Sequence, residues 1–162
     1  MESFRVVETG EGIKADIMRA LSACGKGTVR CRNEGCPALL VVSLGAIQQK
    51  RKLPETCGVL LVPGDAGQAI RAIHAASAVS YGGSSRDSLT VSSREKTRIM
   101  AAIQRGLVTV EGTVVECQEF ALELVPGSDE MSALAVAGAL ILLGVSPEEA
   151  ARVMEKTGRK QK

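Results

Sequence analysis

Residues 38–44 read Ala38-Leu39-Leu40-Val41-Val42-Ser43-Leu44, and residues 58–62 read Gly58-Val59-Leu60-Leu61-Val62. Each is an almost unbroken apolar run of strand length, rich in branched side chains. A strand wetted on one side alternates apolar and polar residues. These two runs have no polar face, so they predict strands buried on both faces, as in a parallel sheet covered by helices.

The segments around them fit that frame. Phe4 to Glu8 reads as a short strand, Thr9 to Gly12 as a turn, and Ile13 to Ala23 as a helix with apolar residues at 13, 17, 18, 20 and 21. Gly25-Lys26-Gly27 ends that helix, and Thr28 to Arg32 follows as a short strand. Asp65 opens an expected helix over Ala66 to Ala76, and Ser77 to Tyr81 is a third inner strand. Strands alternating with helices or loops argue a largely parallel sheet. The second half changes character. Leu89 to Ser93 alternates apolar and polar, Glu111-Gly112 reads as a two-residue hairpin turn, and Phe120 to Val125 is a half-buried strand before the break at Pro126-Gly127. Arg98 to Arg105 fits either helix or strand, and we read it as strand. Glu130 to Leu143 is apolar almost all round, the mark of a buried helix. Ser146-Pro147-Glu148-Glu149 starts a last helix reaching about Lys156. The expected fold is a three-layer α/β/α domain over residues 1–156, with a mainly parallel sheet, an antiparallel C-terminal meander and a disordered basic tail at 157–162.

The 162 residues suffice for one core of ordinary size. That core must be packed from Ala, Val, Leu and Ile, since the chain has one Tyr, two Phe and no Trp. Dispersed basic residues and missing aromatics argue against nucleic acid as a partner. No apolar run reaches the roughly 18 residues of a membrane span, so no membrane partner is expected. The five cysteines are an odd number and come without a signal-peptide pattern, which points to reduced thiols in the cytoplasm. Cys24, Cys31, Cys36 and Cys57 lack the paired short spacings of a structural zinc site and read as small buried thiols. His74, the sole histidine, reads as a boundary residue of the Ala66–Ala76 helix. Neither a metal nor a cofactor is expected.

Gly10-x-Gly12-x-x-Ala15 partly matches a dinucleotide fingerprint, in which glycines let backbone N–H groups approach a pyrophosphate. A plain turn is the competing reading. Gly25-Lys26-Gly27-Thr28 lacks the spacing of a P-loop. The most informative loop is Tyr81-Gly82-Gly83-Ser84-Ser85-Arg86-Asp87-Ser88. It follows an inner strand, and ligands of open α/β sheets collect beyond the carboxyl ends of strands. Gly82 and Gly83 permit close backbone approach. Ser84, Ser85, Ser88 and Arg86 offer donors to an anion, and Tyr81 offers a ring and hydroxyl at the rim. Thr90 and Ser92 add hydroxyls. Against this stands a solvated turn with Arg86 tied to Asp87.

The stretch from Phe120 to Ala150 runs from a strand through Pro126-Gly127 and an Ala-rich helix to Leu143-Gly144-Val145-Ser146-Pro147-Glu148. It resembles the central domain of the Mur ligases, which join an amino acid to a carboxylate using ATP. Ser77 to Asp87 resembles the same family's Tyr-Gly segment and its following Asp. Tyr81 to Ser93 and Gln104 to Glu119 also look like stretches of small uncharacterised proteins of Gram-positive anaerobes, a resemblance that brings no known activity with it. The family pattern reads Pro-Gly-x-His-Asn where this chain has Asp129 and Glu130, and its P-loop is missing here. The resemblance therefore implies a non-catalytic Mur-ligase-like domain binding a small anionic or peptidoglycan-related ligand, or a protein partner, through Tyr81 to Ser88. Two other readings stand beside it: a small ligase or transferase completing its site as a homo-oligomer, and a dinucleotide-binding module.

Overall fold

The computed structural model describes residues 3–31, 35–124 and 127–159. Arg32, Val125, Pro126 and residues 160–162, on which parts of the expected elements fall, lie outside the described residues. The chain runs β1 (Ser3–Val7), α1 (Ile13–Ala23), β2 (Arg30–Cys31), β3 (Leu39–Val42), α2 (Leu44–Gln48), β4 (Thr56–Pro63), a 3₁₀ turn (Gly67–Ile70), β5 (His74–Gly82), β6 (Leu89–Arg94), β7 (Arg98–Ile103), β8 (Leu107–Val108), β9 (Val114–Val115), β10 (Gln118–Glu123), α3 (Glu130–Leu142) and α4 (Pro147–Arg159).

Eight strands form one sheet in the order β10-β7-β6-β5-β4-β3-β1-β2. From β2 to β6 every neighbour pair is parallel, and β7 pairs antiparallel with both β6 and β10. This is the expected α/β architecture with a parallel part and an antiparallel meander. The apolar runs at 38–44 and 58–62 sit at its centre. Leu39 to Val42 are all fully buried, because consecutive side chains pack into opposite layers.

The two faces are covered unequally. One core holds Phe4, Leu39, Val41, Leu61, Tyr81, Leu89, Ile99 and Phe120 with the helices α1, α3 and α4. In α3 every residue from Leu134 to Leu142 is buried, as its lack of a polar stripe predicts. On the other face Leu40, Val42, Leu60 and Val62 meet Ala46 of the short α2 and Ala66 before the 3₁₀ turn.

Several expected boundaries are corrected. Leu44 leaves the strand and begins α2, because the Ser43 hydroxyl accepts from Ala46 N at 3.0 Å and caps a helix there. The helix expected over Ala66 to Ala76 is a single 3₁₀ turn, and residues from His74 onward belong to β5. Pairing of Thr56 with His74 and Cys57 with Ala75 overrides the helical propensity of the alanines. The β8–β9 hairpin closes through the three residues Val110, Glu111 and Gly112 rather than two, with Gly112 N bonded to Thr109 O and Thr109 N to Thr113 O. Arg98 to Ile103 is a strand, as read. The last helix passes Lys156 and reaches Arg159, so residues 157–159 are helical. Among the described residues no helix is long and apolar enough to cross a membrane.

Candidate functional site at the carboxyl edge of the sheet

The parallel strands β1, β3, β4 and β5 end along one edge, and their following turns converge there. After β1 the chain turns through Thr9 to Gly12 into α1. The first N–H groups of a helix point outward without partners and attract an anion. Here the Glu8 side chain supplies it. Its carboxylate accepts from Gly12 N at 2.7 Å, Ile13 N at 3.1 Å and Lys14 N at 2.8 Å. Gly10, Gly12 and Ala15 do form the turn and helix start that the fingerprint anticipates. The donors that a pyrophosphate would need are bonded to the chain's own acid.

The same arrangement recurs at the next two helices. Glu11 accepts from Thr9 Oγ1 at 2.9 Å and from Gly45 N at 3.2 Å, at the start of α2. Burial would raise the Glu11 carboxyl, but hydrogen bonds from the Ser43 hydroxyl, from Thr9 and from Gly45 outweigh it and hold the group below its ordinary range. At α3 the Asp129 carboxylate accepts from Met131 N at 2.8 Å and from the Ser132 hydroxyl at 2.7 Å. Glu130 pairs with Arg94 across 2.8 Å. The two acids that replace the Mur pattern's His-Asn pair are thus a helix cap and an ion-pair partner.

Between α1, α3, α4 and the end of β10 lies a cleft of about 510 Å³. Glu11, Asp16, Glu123 and Asp129 line it against the guanidinium of Arg19, the one cation lining it among the described residues, which itself pairs with Asp16. Its polarity disfavours anions. Sequence reading missed this cleft. The signal available was the acid beside each of two helix starts, Glu11 just before α1 and Asp129 just before α3.

The Tyr81–Ser88 segment separates into a buried and an exposed part. Tyr81 is 1% exposed and does not stand at the rim. Its hydroxyl donates to Val42 O at 2.7 Å, tying the end of β5 to the end of β3. Burial, with smaller contributions from the Glu11 and Asp129 carboxylates, pushes the phenol far above its ordinary value. Gly82 and Ser88 are buried too, and Ser88 N donates to Ser80 Oγ at 3.2 Å. Asp87 is 5% exposed. It turns inward, accepts from Ser84 N at 3.1 Å and lies directly against Gly64 and Gly82. A Cβ on Gly64 would overlap the Asp87 carboxylate, so the close approach requires glycine there.

Asp87 therefore does not tie down Arg86. Arg86 is exposed, and no ion pair to it occurs among the described residues. Gly83, Ser84, Ser85 and Arg86 form the exposed part of the turn, held by Arg86 N donating to Ser84 Oγ at 3.1 Å. They do not line the acidic cleft. Thr90 is buried with its hydroxyl unpartnered among the described residues, and Ser92 donates to Met100 O, so neither extends the turn's donor set.

The remaining candidates fall apart. His74 is exposed at the first residue of β5, about 26 Å along that strand from Gly82. Of the thiols read as buried, Cys57 is buried, Cys24 and Cys31 are half-buried and Cys36 is exposed, as is Cys117. Burial, with the neighbouring Cys36 thiol, pushes the Cys57 thiol up to about 11, which leaves it a poor nucleophile at neutral pH. Among the described residues no three His, Cys, Asp or Glu side chains cluster as metal ligands.

The fold is Mur-ligase-like. Over 94% of its length the chain superposes on a murein peptide ligase from Psychrobacter arcticus, with a TM-score of 0.61 and 8% identity, covering 45% of that protein. A UDP-N-acetylmuramoylalanyl-D-glutamyl-2,6-diaminopimelate–D-alanyl-D-alanyl ligase from Acinetobacter baumannii superposes over 96% of the chain, with a TM-score of 0.63, 12% identity and 46% of that protein covered. MurF from Acinetobacter baumannii gives a TM-score of 0.58 and 13% identity over 95% of the chain and 44% of that protein. The chain spans less than half the length of these ligases, and identities this low show a shared fold alone. No protein-family model and no curated protein matches the sequence.

Proposed function

We propose that the chain is a non-catalytic Mur-ligase-like domain that binds a small anionic or peptidoglycan-related ligand in the cytoplasm through the exposed turn Gly83 to Arg86. The observation that carries the non-catalytic part is the Glu8 carboxylate on three backbone N–H groups of α1. A nucleotide phosphate approaching that helix would have to displace a tethered carboxylate, and would meet Glu11 beside it. Both costs are electrostatic and neither is offset by a P-loop lysine. The same observation counts against the dinucleotide reading. For the ligand, support comes from Arg86. Its guanidinium suits a carboxylate or phosphate, and Asp87 faces Gly64, just after β4, and Gly82 of β5 instead of neutralising it.

The test is a thermal-shift screen with magnesium-ATP, ADP, NAD and muramyl peptides carrying free carboxylates, on the wild type and Glu8→Ala. Nucleotides are expected to leave the wild-type melting temperature unchanged and muramyl peptides to raise it. Nucleotide stabilisation of the wild type, or magnesium-dependent ATP hydrolysis retained through purification, would support a ligase completing its site in a homo-oligomer instead. Stabilisation by nucleotide in Glu8→Ala but not in the wild type would identify the carboxylate itself as the block.

A further inference from the structure

On the thinly covered face of the sheet lies a groove of about 560 Å³, which shares no lining residue with the acidic cleft. Its floor is Ile47, Leu53 and Ile73, half-buried side chains packed on the cluster of Leu40, Val42, Leu60 and Val62. Ala66, Ala69 and Ala72 form a wall of small residues, which is why the groove stays open. At the rim stand Lys50 and Arg51, both exposed, and Lys52 continues the basic run. Glu55 is the one carboxylate lining it, and no ion pair joins it to Lys50 or Arg51 among the described residues.

Lys50 bears a backbone cost. Lys50 N bonds to Ile47 O and Arg51 N to Ala46 O, which closes α2 with Lys50 at the position that glycine normally takes. Its φ is +53°, the left-handed region that a side chain with a Cβ disfavours. A cation is therefore held at the groove mouth where glycine would relieve strain.

We propose that this groove binds a small amphipathic anion, an apolar body ending in a carboxylate or a phosphate, taken up as a monomer from solution. The floor supplies apolar burial, and its volume is in the range of small-molecule sites. The rim supplies two cations on one side with no ion pair among the described residues, so the apolar part enters the groove and the charged head stays at Lys50 and Arg51. This inference does not depend on the function proposed for the Gly83–Arg86 turn, none of whose residues lines the groove.

The test titrates the isotope-labelled full chain with octanoate and octyl phosphate below micelle formation, read by amide chemical shifts. Saturable shifts confined to residues 47–55 and 66–73 are expected, with octanol and octyltrimethylammonium binding at least roughly tenfold more weakly. The double variant K50E/R51E should lose about tenfold in affinity and keep its melting temperature, since both side chains are exposed and make no ion pair among the described residues. Lys50→Gly should weaken binding while raising the melting temperature, which separates the ligand role from folding. Equal binding of octanol, unchanged affinity in K50E/R51E or shifts elsewhere in the chain would overturn the proposal. So would binding to anionic phosphatidylglycerol vesicles without binding to monomeric octyl phosphate, which would point to a membrane surface.

Discussion

The turn after β1, Thr9 to Gly12, and the turn after β5, Gly83 to Asp87, both follow parallel strands at one edge of the sheet. Both contain glycine, and both have a carboxylate next to them. In the first, Glu8 reaches forward onto the helix donors, and the anion site is bonded internally. In the second, Asp87 folds back onto Ser84 N and against Gly64 and Gly82, and Arg86 is left outside. A glycine-rich turn at a strand end is thus only half of a binding site. Where the nearest carboxylate points decides whether the turn's positive groups are available to a ligand.

The second turn offers the largest handle on this contrast. If Asp87 shapes the turn from within, Gly64→Ala must push its carboxylate away, and overpacking of this kind costs about 1–3 kcal/mol. Asp87→Ala leaves Ser84 N without its acceptor and should cost a comparable 1–3 kcal/mol. The two should not add. With the carboxylate removed, the new Cβ at position 64 meets space, so the double variant should be little worse than Asp87→Ala alone. Denaturant unfolding of the four proteins measures the coupling, and simple additivity would mean that Asp87 does not occupy the space over Gly64.

At the first turn the effect is smaller and shows in the pH dependence. Glu11 is held below its ordinary range in the fold. Its hydrogen bonds to Thr9, Ser43 and Gly45 therefore contribute stability that is present above about pH 4.5 and is lost as pH falls through the lowered folded value. In Glu11→Gln that contribution is missing throughout. The variant should melt below wild type at neutral pH, and the gap should narrow in acid. A gap that is constant from neutral pH to pH 3 would show that the carboxylate's charge is not what the cap uses.

The parts of this fold legible in the sequence are those decided by local burial pattern. The runs at 38–44 and 58–62 announce a doubly covered sheet with no alternative period, and the all-round apolar α3 could only be buried. Residues 66–76 read as a helix because alanine favours one locally, while the chain at His74 and Ala75 is claimed by β4, a partner that the segment does not encode. Tyr81 is a similar case. A tyrosine beside Gly-Gly reads as a rim residue until the carbonyl of Val42, two strands away, is seen to take its hydroxyl. At Glu8 the sequence did carry the information. An acid placed immediately before a turn into a helix is within reach of the first N–H groups, although its place at the end of the β1 pattern makes it look like a strand residue alone.

The smallest folding effect belongs to Arg86, and it bears most directly on function. Its side chain is exposed and makes no ion pair among the described residues, so Arg86→Ala removes no contact on which the fold relies. The unfolding free energy should stay within the scatter of surface substitutions, about 0.5 kcal/mol. Affinity for a carboxylate or phosphate ligand at Gly83 to Arg86 should fall by about 1.5–3 kcal/mol, because a charge-assisted contact is lost without compensation. Arg86→Lys sharpens the reading. Lysine keeps the charge and loses the planar fork, so a ligand held by paired hydrogen bonds would be weakened nearly as much as by alanine, and one held by charge alone would be retained. Isothermal titration with the muramyl peptide found in the thermal-shift screen decides between them. Wild-type affinity in Arg86→Ala would place the ligand elsewhere, and the second turn would then be a solvated loop shaped by Asp87 and nothing more.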